Sequence, residues 1–328
     1  MKKRLKNWEG SNMSPEVKAT RDAFGEALME LGRENRNVVV VSGDLEDSTR
    51  AERFKKEFPE RFFNLGIAEQ DILGSAVGLS LVGLIPFASS FAVFLTNRAY
   101  GILRISICYN RRNVKLVGSH AGLTVGEDGA TAQCLEDLAI TRVLPNITVL
   151  APADGLETKK ATKAIADMRG PVYMRLGRFA VPTITKEKDP FVIGKADTLR
   201  AGRDVTLIAC GIMVWEALKA ADALLDKGIN ARVINMHTIK PIDAAIITNA
   251  ARETGAIVTC EEHQINGGLG SAVAEVLVKK NPVPVEMVAV GDSFGESGSP
   301  DELLAKYHLK DVDIIRAAQK VLGRKKGA

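Results

Sequence analysis

Short apolar runs alternate with amphipathic stretches along this chain, and the alternation occurs twice. In the first half a helical pattern covers 15–32, and the β-branched run Val38-Val39-Val40-Val41 follows. Arg61-Phe62-Phe63-Asn64 then precedes a helix from about Glu69, a strand over 84–88 and a helix over 94–109. Val114-Lys115-Leu116-Val117, Ile147-Thr148-Val149-Leu150, a helix after Asp154 and Val172-Tyr173-Met174-Arg175 complete this half. Apolar strands bounded by Gly, Asn and Asp and separated by helices predict a largely parallel sheet covered on both faces.

A polar stretch over 183–189, followed by Pro190, interrupts the pattern. It restarts with strands over 205–209, 231–234, 256–259 and 283–290, helices over 214–227, 244–253 and 270–279 between them, and two C-terminal helices. The expected fold is α/β, with two doubly wound, largely parallel-sheet domains. The expected division is a tail over 1–14, a first domain over 15–182, a linker over 183–194 and a second domain over 195–328.

The length of 328 residues agrees with two domains. Hydrophobic residues at 46% and charged residues at 26% supply enough for real cores and exclude a disordered chain. The net charge of +4 comes with no basic block interleaved with aromatics, which argues against a nucleic-acid binder. The basic stretches 1–4 and 324–326 read as solvated tails, and neither end carries a secretory signal core, so a cytoplasmic chain is expected. Cys108, Cys134, Cys210 and Cys260 form no C-x-x-C pair and read as reduced, buried thiols. The segment 72–97 is 26 residues without a charge. Its Pro86, four serines and three glycines favour a buried helix and strand at a subunit interface over a membrane span.

In open α/β sheets ligands sit beyond the carboxyl ends of the strands, which singles out the loops 42–48, 66–70, 119–133 and 176–178. The third holds three glycines, His120 and the adjacent acids Glu127 and Asp128. It reads either as a long glycine turn or as a substrate loop in which glycines permit close approach. Glu69 opens an apolar helix, where a carboxylate suits the helix dipole. It also suits a carboxyl held in an apolar site and able to share a proton with a ligand. Phe87, Phe91 and Phe94 are core side chains or a stacking surface for a flat heterocycle. Arg21, Ser48, Arg98, Arg104 and Arg178 lie near helix starts or strand ends, where several together can clamp a phosphate. The chain lacks G-x-x-x-x-G-K-[ST], G-x-S-x-G, H-E-x-x-H and a plausible G-x-G-x-x-G turn, so it carries no phosphate cradle of its own.

Several of these stretches together resemble the transketolase family. They are Gly66-Ile67-Ala68-Glu69-Gln70, Phe91 with Phe94, His120 with Gly126-Glu127-Asp128-Gly129, and Leu144-Pro145-Asn146 with Ala151-Pro152-Ala153-Asp154-Gly155. Thr238-Ile239-Lys240-Pro241-Ile242-Asp243, Glu261-Glu262-His263 and Gly267-Gly268-Leu269-Gly270 resemble the family's C-terminal domain. The resemblance runs over about 15–322 and is to the C-terminal half alone. The G-D-G…N-N thiamine diphosphate signature is missing. The chain is therefore similar to the C-terminal subunit of a split transketolase, whose N-terminal partner subunit carries the diphosphate-binding domain.

The resemblance implies a transferase of the pentose phosphate pathway that moves a two-carbon ketol unit from a ketose phosphate to an aldose phosphate. It implies thiamine diphosphate with Mg2+ or Ca2+, the metal ligands lying on the partner subunit, and an α2β2 heterotetramer around a homodimer core. Glu69 would hydrogen-bond the pyrimidine N1′ and activate the cofactor. Phe91 and Phe94 would stack on the pyrimidine. His120, Arg21, Ser48, Asp128 and Arg178 would hold the sugar phosphate, with His120 counted among the catalytic residues. Around Phe94–Tyr100 the sequence is closer to 1-deoxy-xylulose-5-phosphate synthase than to yeast-type transketolase, which directs Arg98 and Tyr100 toward cofactor or substrate. Many relatives carry histidine where this chain has Ala132, leaving Gln133 to substitute in part. The alternatives are the β subunit of the decarboxylating component of a 2-oxo acid dehydrogenase, and a non-catalytic assembly subunit.

Overall fold

The computed structural model describes residues 16–326, with the side chain of Lys326 left out. The expected tail over 1–14 lies outside the described residues. Seven strands form the first sheet, in the order Thr238–Lys240, Thr148–Leu150, Val172–Arg175, Lys115–Ser119, Ile85–Phe91, Val38–Ser42 and Phe62–Asn64. All neighbours are parallel except Thr238–Lys240, which runs antiparallel to Thr148–Leu150. The β-branched run at Val38 is buried at every position, as a strand covered on both faces requires.

The second sheet has five strands, ordered Val285–Val290, Ile257–Gln264, Val205–Ala209, Ala231–Asn235 and Asp197–Arg200. Only the edge strand Asp197–Arg200 is antiparallel. A small antiparallel pair, Val17–Ala19 with Ala180–Pro182, ties the start of the first unit to its end. Helix boundaries carry their own chemistry. The helix Gly155–Asp167 starts where Asp154 accepts from the Glu157 amide at 2.8 Å and Glu157 accepts from the Ala153 amide at 2.6 Å.

The helical pattern expected over 15–32 begins instead as the strand Val17–Ala19, with the helix at Thr20–Glu34, and three further features depart from the sequence reading. The stretch 94–109 is not one α-helix: Phe94–Arg98 and Leu103–Tyr109 are π-helical, with a short α turn Tyr100–Ile102 between them. Strand Thr238–Lys240 crosses from the second unit into the first unit's sheet, and one core joins Val149 and Leu138 to Ile234, Met236 and Ile247. The two units thus share packing of interior type. Arg324 and Lys325 are exposed as expected but form no tail: they lie in the helix Asp311–Lys326. Arg324 donates to Glu286 Oε1 at 2.7 Å and Lys325 donates to the Thr254 carbonyl at 2.6 Å.

No helix among the described residues is long and apolar enough to cross a membrane. The uncharged segment divides as expected into a helix, Glu69–Leu81, and the strand Ile85–Phe91. The strand is buried almost throughout, while the helix turns Gly74, Gly78 and Leu81 outward. All four cysteines are free and buried.

Candidate functional site

The carboxyl ends of the parallel strands collect the singled-out residues on one rim of the first sheet. Asn64 ends one strand, and five residues later Glu69 opens the helix Glu69–Leu81 with only 6% of its surface exposed. Phe91 ends the strand Ile85–Phe91, and Phe94 follows at the start of the first π-helical turn. Their rings stack at 5.5 Å with 13° between planes. On the other strand end His120 stacks on Phe91 at 3.8 Å. Arg98 lies over Phe94 at 4.2 Å and pairs with Glu69 Oε1 at 3.1 Å.

His120 holds a left-handed backbone with φ 55°, an unusual conformation for a residue bearing a side chain. Its Nε2 lies 3.1 Å from Arg21 Nη1, and its Nδ1 lies 2.8 Å from Ser119 Oγ. Arginine has no acceptor, so Nε2 accepts, and the proton sits on Nδ1 facing the serine. Burial and the positive charges of Arg21, Arg178 and Arg50 push the His120 pKa down to about 3. The ring is therefore neutral near pH 7, a hydrogen-bonding group rather than a cation. Between the unfolded value of about 6.5 and the folded one, the unfolded chain binds more protons, so this residue lowers stability as pH falls through that window. Nitrogen NMR of the free chain is expected to show the Nδ1–H tautomer and no His120 titration between about pH 8 and 5. A midpoint near 6.5 would contradict the buried cationic setting.

Arg21 donates to the Ser48 carbonyl at 2.9 Å, and its buried Nε has no partner among the described residues. Arg178 donates to the Val125 carbonyl at 2.5 Å and to Glu127 at 3.2 Å, with Asp128 at 3.8 Å. Arg21, Ser48, His120, Asp128 and Arg178 thus converge on one patch, and Ser48 contributes its carbonyl to the Arg21 contact. Arg50, which no sequence motif marks, adds its positive charge to the patch, bearing on His120 and Arg21, and is itself paired with Asp22 at 2.6 Å. Three residues do not converge. Arg104 is exposed within the second π-helical stretch. Tyr100 turns its hydroxyl away, donating to the Ile140 carbonyl at 3.1 Å. Gln133 cannot replace a missing histidine, because its amide is buried and donates to the Glu296 carbonyl at 2.9 Å. Ala132 is buried in an apolar cluster with Phe91 and Val125.

The loop after Ser119 is seated on the second unit. Glu262 Oε1 accepts from the Thr124 amide at 2.5 Å. Gly122 has φ +85°, and a Cβ there would overlap the Glu262 carboxylate. Burial raises the Glu262 pKa to about 7, opposed by Arg175 and the Thr124 amide. Elsewhere, Glu157, Asp197 and His237 place ligand-type atoms within 4.8 Å of one another, but Glu157 is committed to the helix start described above.

The fold and its carboxyl rim define a two-unit parallel α/β protein with a buried carboxylate beside an aromatic stack, and similarity to known proteins says which family it belongs to. The family models for the transketolase pyrimidine-binding domain and the transketolase C-terminal domain match residues 16–183 and 194–314. The chain belongs to the transketolase family, as its C-terminal half. It is 46% identical, over 93% of its length and 96% of the relative, to a Methanocaldococcus jannaschii protein inferred to be a transketolase C-terminal section. It is 42% identical to the 6-deoxy-6-sulfo-D-fructose transketolase subunit SqwH of Clostridium sp., over 93% of this chain and 95% of that one. It is 40% identical to human transketolase over 92% of this chain, spanning 48% of that protein. A solved structure described as "Split gene transketolase, inactive beta4 tetramer" superposes with a TM-score of 0.89 at 52% identity, covering 94% of this chain and 99% of that one.

Proposed function

We propose that this chain is the C-terminal subunit of a split transketolase, transferring a two-carbon ketol unit between sugar phosphates once joined to an N-terminal subunit. The observation that carries this reading is the buried Glu69 carboxylate beside the Phe91–Phe94 stack, in a chain without a phosphate cradle of its own. These residues fit the aminopyrimidine half of thiamine diphosphate: an acceptor shielded from water and a flat apolar surface. When bound, the cofactor supplies the carbon nucleophile and the electron sink. Glu69 would exchange a proton with the pyrimidine N1′, and Phe94 would orient the ring. Arg21 and Arg178, with neutral His120 between them, receive the anionic end of the sugar, while Asp128 meets a hydroxyl. The diphosphate and its Mg2+ or Ca2+ fall to the partner, and the setting is cytoplasmic.

The outward face of the helix Glu69–Leu81, with Gly74 and Gly78 bare of neighbours within 4 Å, suits a close contact between copies in an α2β2 assembly. Sedimentation of the chain alone reads this directly, and a monomer at micromolar concentration would sink it. For the function itself, the chain is expected to convert xylulose 5-phosphate and ribose 5-phosphate only when mixed with its partner subunit, thiamine diphosphate and magnesium. Activity of the chain alone would refute the division of labour. Silence of the mixture with cofactor bound would favour the β subunit of a 2-oxo acid dehydrogenase. Silence without binding would favour a non-catalytic assembly subunit.

A further inference from the structure

Phe94 already has two packed partners: Phe91 stacks at 5.5 Å and the Arg98 guanidinium lies at 4.2 Å. His120 in turn covers Phe91 at 3.8 Å. The column His120–Phe91–Phe94–Arg98 therefore ends in a flat cation rather than in an open ring face. The same guanidinium donates to Glu69 Oε1 at 3.1 Å. Resting on Phe94 and hydrogen-bonding Glu69 are the two contacts by which an aminopyrimidine would be held under the functional reading above, on which this inference rests. Both groups are planar, and both would place an in-plane nitrogen against the Glu69 carboxyl. They compete for one carboxyl and one stacking surface.

The backbone prepares this placement. Phe94–Arg98 is π-helical, with i→i+5 bonding of the kind found as local bulges at functional sites, and both Phe94 and Arg98 belong to this one turn. Gln70 Nε2 donates to the Arg98 carbonyl at 3.2 Å, tying this turn to the helix that begins with Glu69. The Arg98 side chain is 52% exposed, whereas that of Glu69 is 7% exposed. The guanidinium is thus free to leave toward solvent while the carboxylate stays in place.

We infer that Arg98 is a latch on the pyrimidine half-site, occupying the ring's place by contacts to Phe94 and Glu69 and swinging out to admit the cofactor. The latch shields a buried carboxylate and delays cofactor uptake. Its hold is modest, because a half-exposed ion pair and a half-exposed cation–π contact together amount to roughly a tenfold bias.

The test uses the complex assembled with the partner subunit. Thiamine diphosphate binding in the presence of Mg2+ is measured by titration calorimetry, and uptake by rapid-mixing fluorescence, for the native chain, Arg98→Ala and Arg98→Lys. Arg98→Ala is expected to bind the cofactor roughly tenfold more tightly and to take it up faster, with Arg98→Lys between the two. Equal or weaker binding by Arg98→Ala would overturn the latch and make Arg98 a plain cofactor contact. Absence of binding by the native complex would overturn the functional reading and the latch with it, so the two failures are distinguishable.

Discussion

Replacing Glu69 by glutamine is expected to lower ketol transfer by the assembled enzyme by about 10²- to 10⁴-fold, the range that a positioned acid–base group contributes. Glutamine keeps the size and one hydrogen-bonding oxygen but cannot exchange a proton with a ring nitrogen. The fold has little at stake. Glu69 is the first residue of its helix, where losing a carboxylate costs about 0.3–1 kcal/mol of dipole interaction. Its one side-chain partner among the described residues is the half-exposed Arg98. Circular dichroism and the melting temperature should therefore stay close to native while turnover falls. Cofactor affinity gives a second axis, because Glu69→Gln loosens Arg98 as well as losing the acid. Activity within about threefold of native, at saturating cofactor, would remove Glu69 from the chemistry, the smallest acid–base contribution being far larger than that.

The fold is legible in the sequence because its strands are short β-branched runs with sharp polar limits. Val38–Ser42 and Val205–Ala209 stand almost where the pattern puts them. Residues close to strand ends are legible too, which is why Glu69, Phe91, Phe94 and His120 stand out along the chain itself. Three kinds of feature are not. The strand Thr238–Lys240 has only three residues and pairs with a partner nearly ninety positions away, a relation no local periodicity carries. The π-helical turns leave the apolar spacing of 94–109 close to that of an ordinary helix. Arg50 and Glu262 enter through long-range charge and backbone contacts. For Glu262 a faint signal exists: Gly122 must lack a Cβ because that carboxylate fills the space.

The same long-range logic predicts the largest effect on stability, at Arg175. This residue and Asp137 are buried with the Arg175 Nε 3.0 Å from Asp137 Oδ2, and the Tyr173 hydroxyl donates to the same oxygen at 2.7 Å. Arg175 Nη2 also donates to the Glu262 carbonyl at 2.7 Å, so the cluster clamps the second unit beneath the loop that follows Ser119. The charge of Asp137 holds Arg175 firmly protonated. Arg175→Met fills the space but strands a carboxylate in the interior, and a loss of about 3–5 kcal/mol of unfolding free energy is expected from chemical denaturation. Asp137→Leu in the Arg175→Met background removes the stranded charge and should recover much of that loss. If the double variant is no more stable than Arg175→Met, the cost lies in packing and in the lost Glu262 contact rather than in the unpaired charge. Loss of the clamp should also slacken the Thr124 loop, so hydrogen exchange at the Thr124 amide is expected to quicken in Arg175→Met and to stay fast in the double variant. Stability and loop order then separate: the first follows the charge of Asp137, and the second follows the guanidinium's bond to the Glu262 carbonyl.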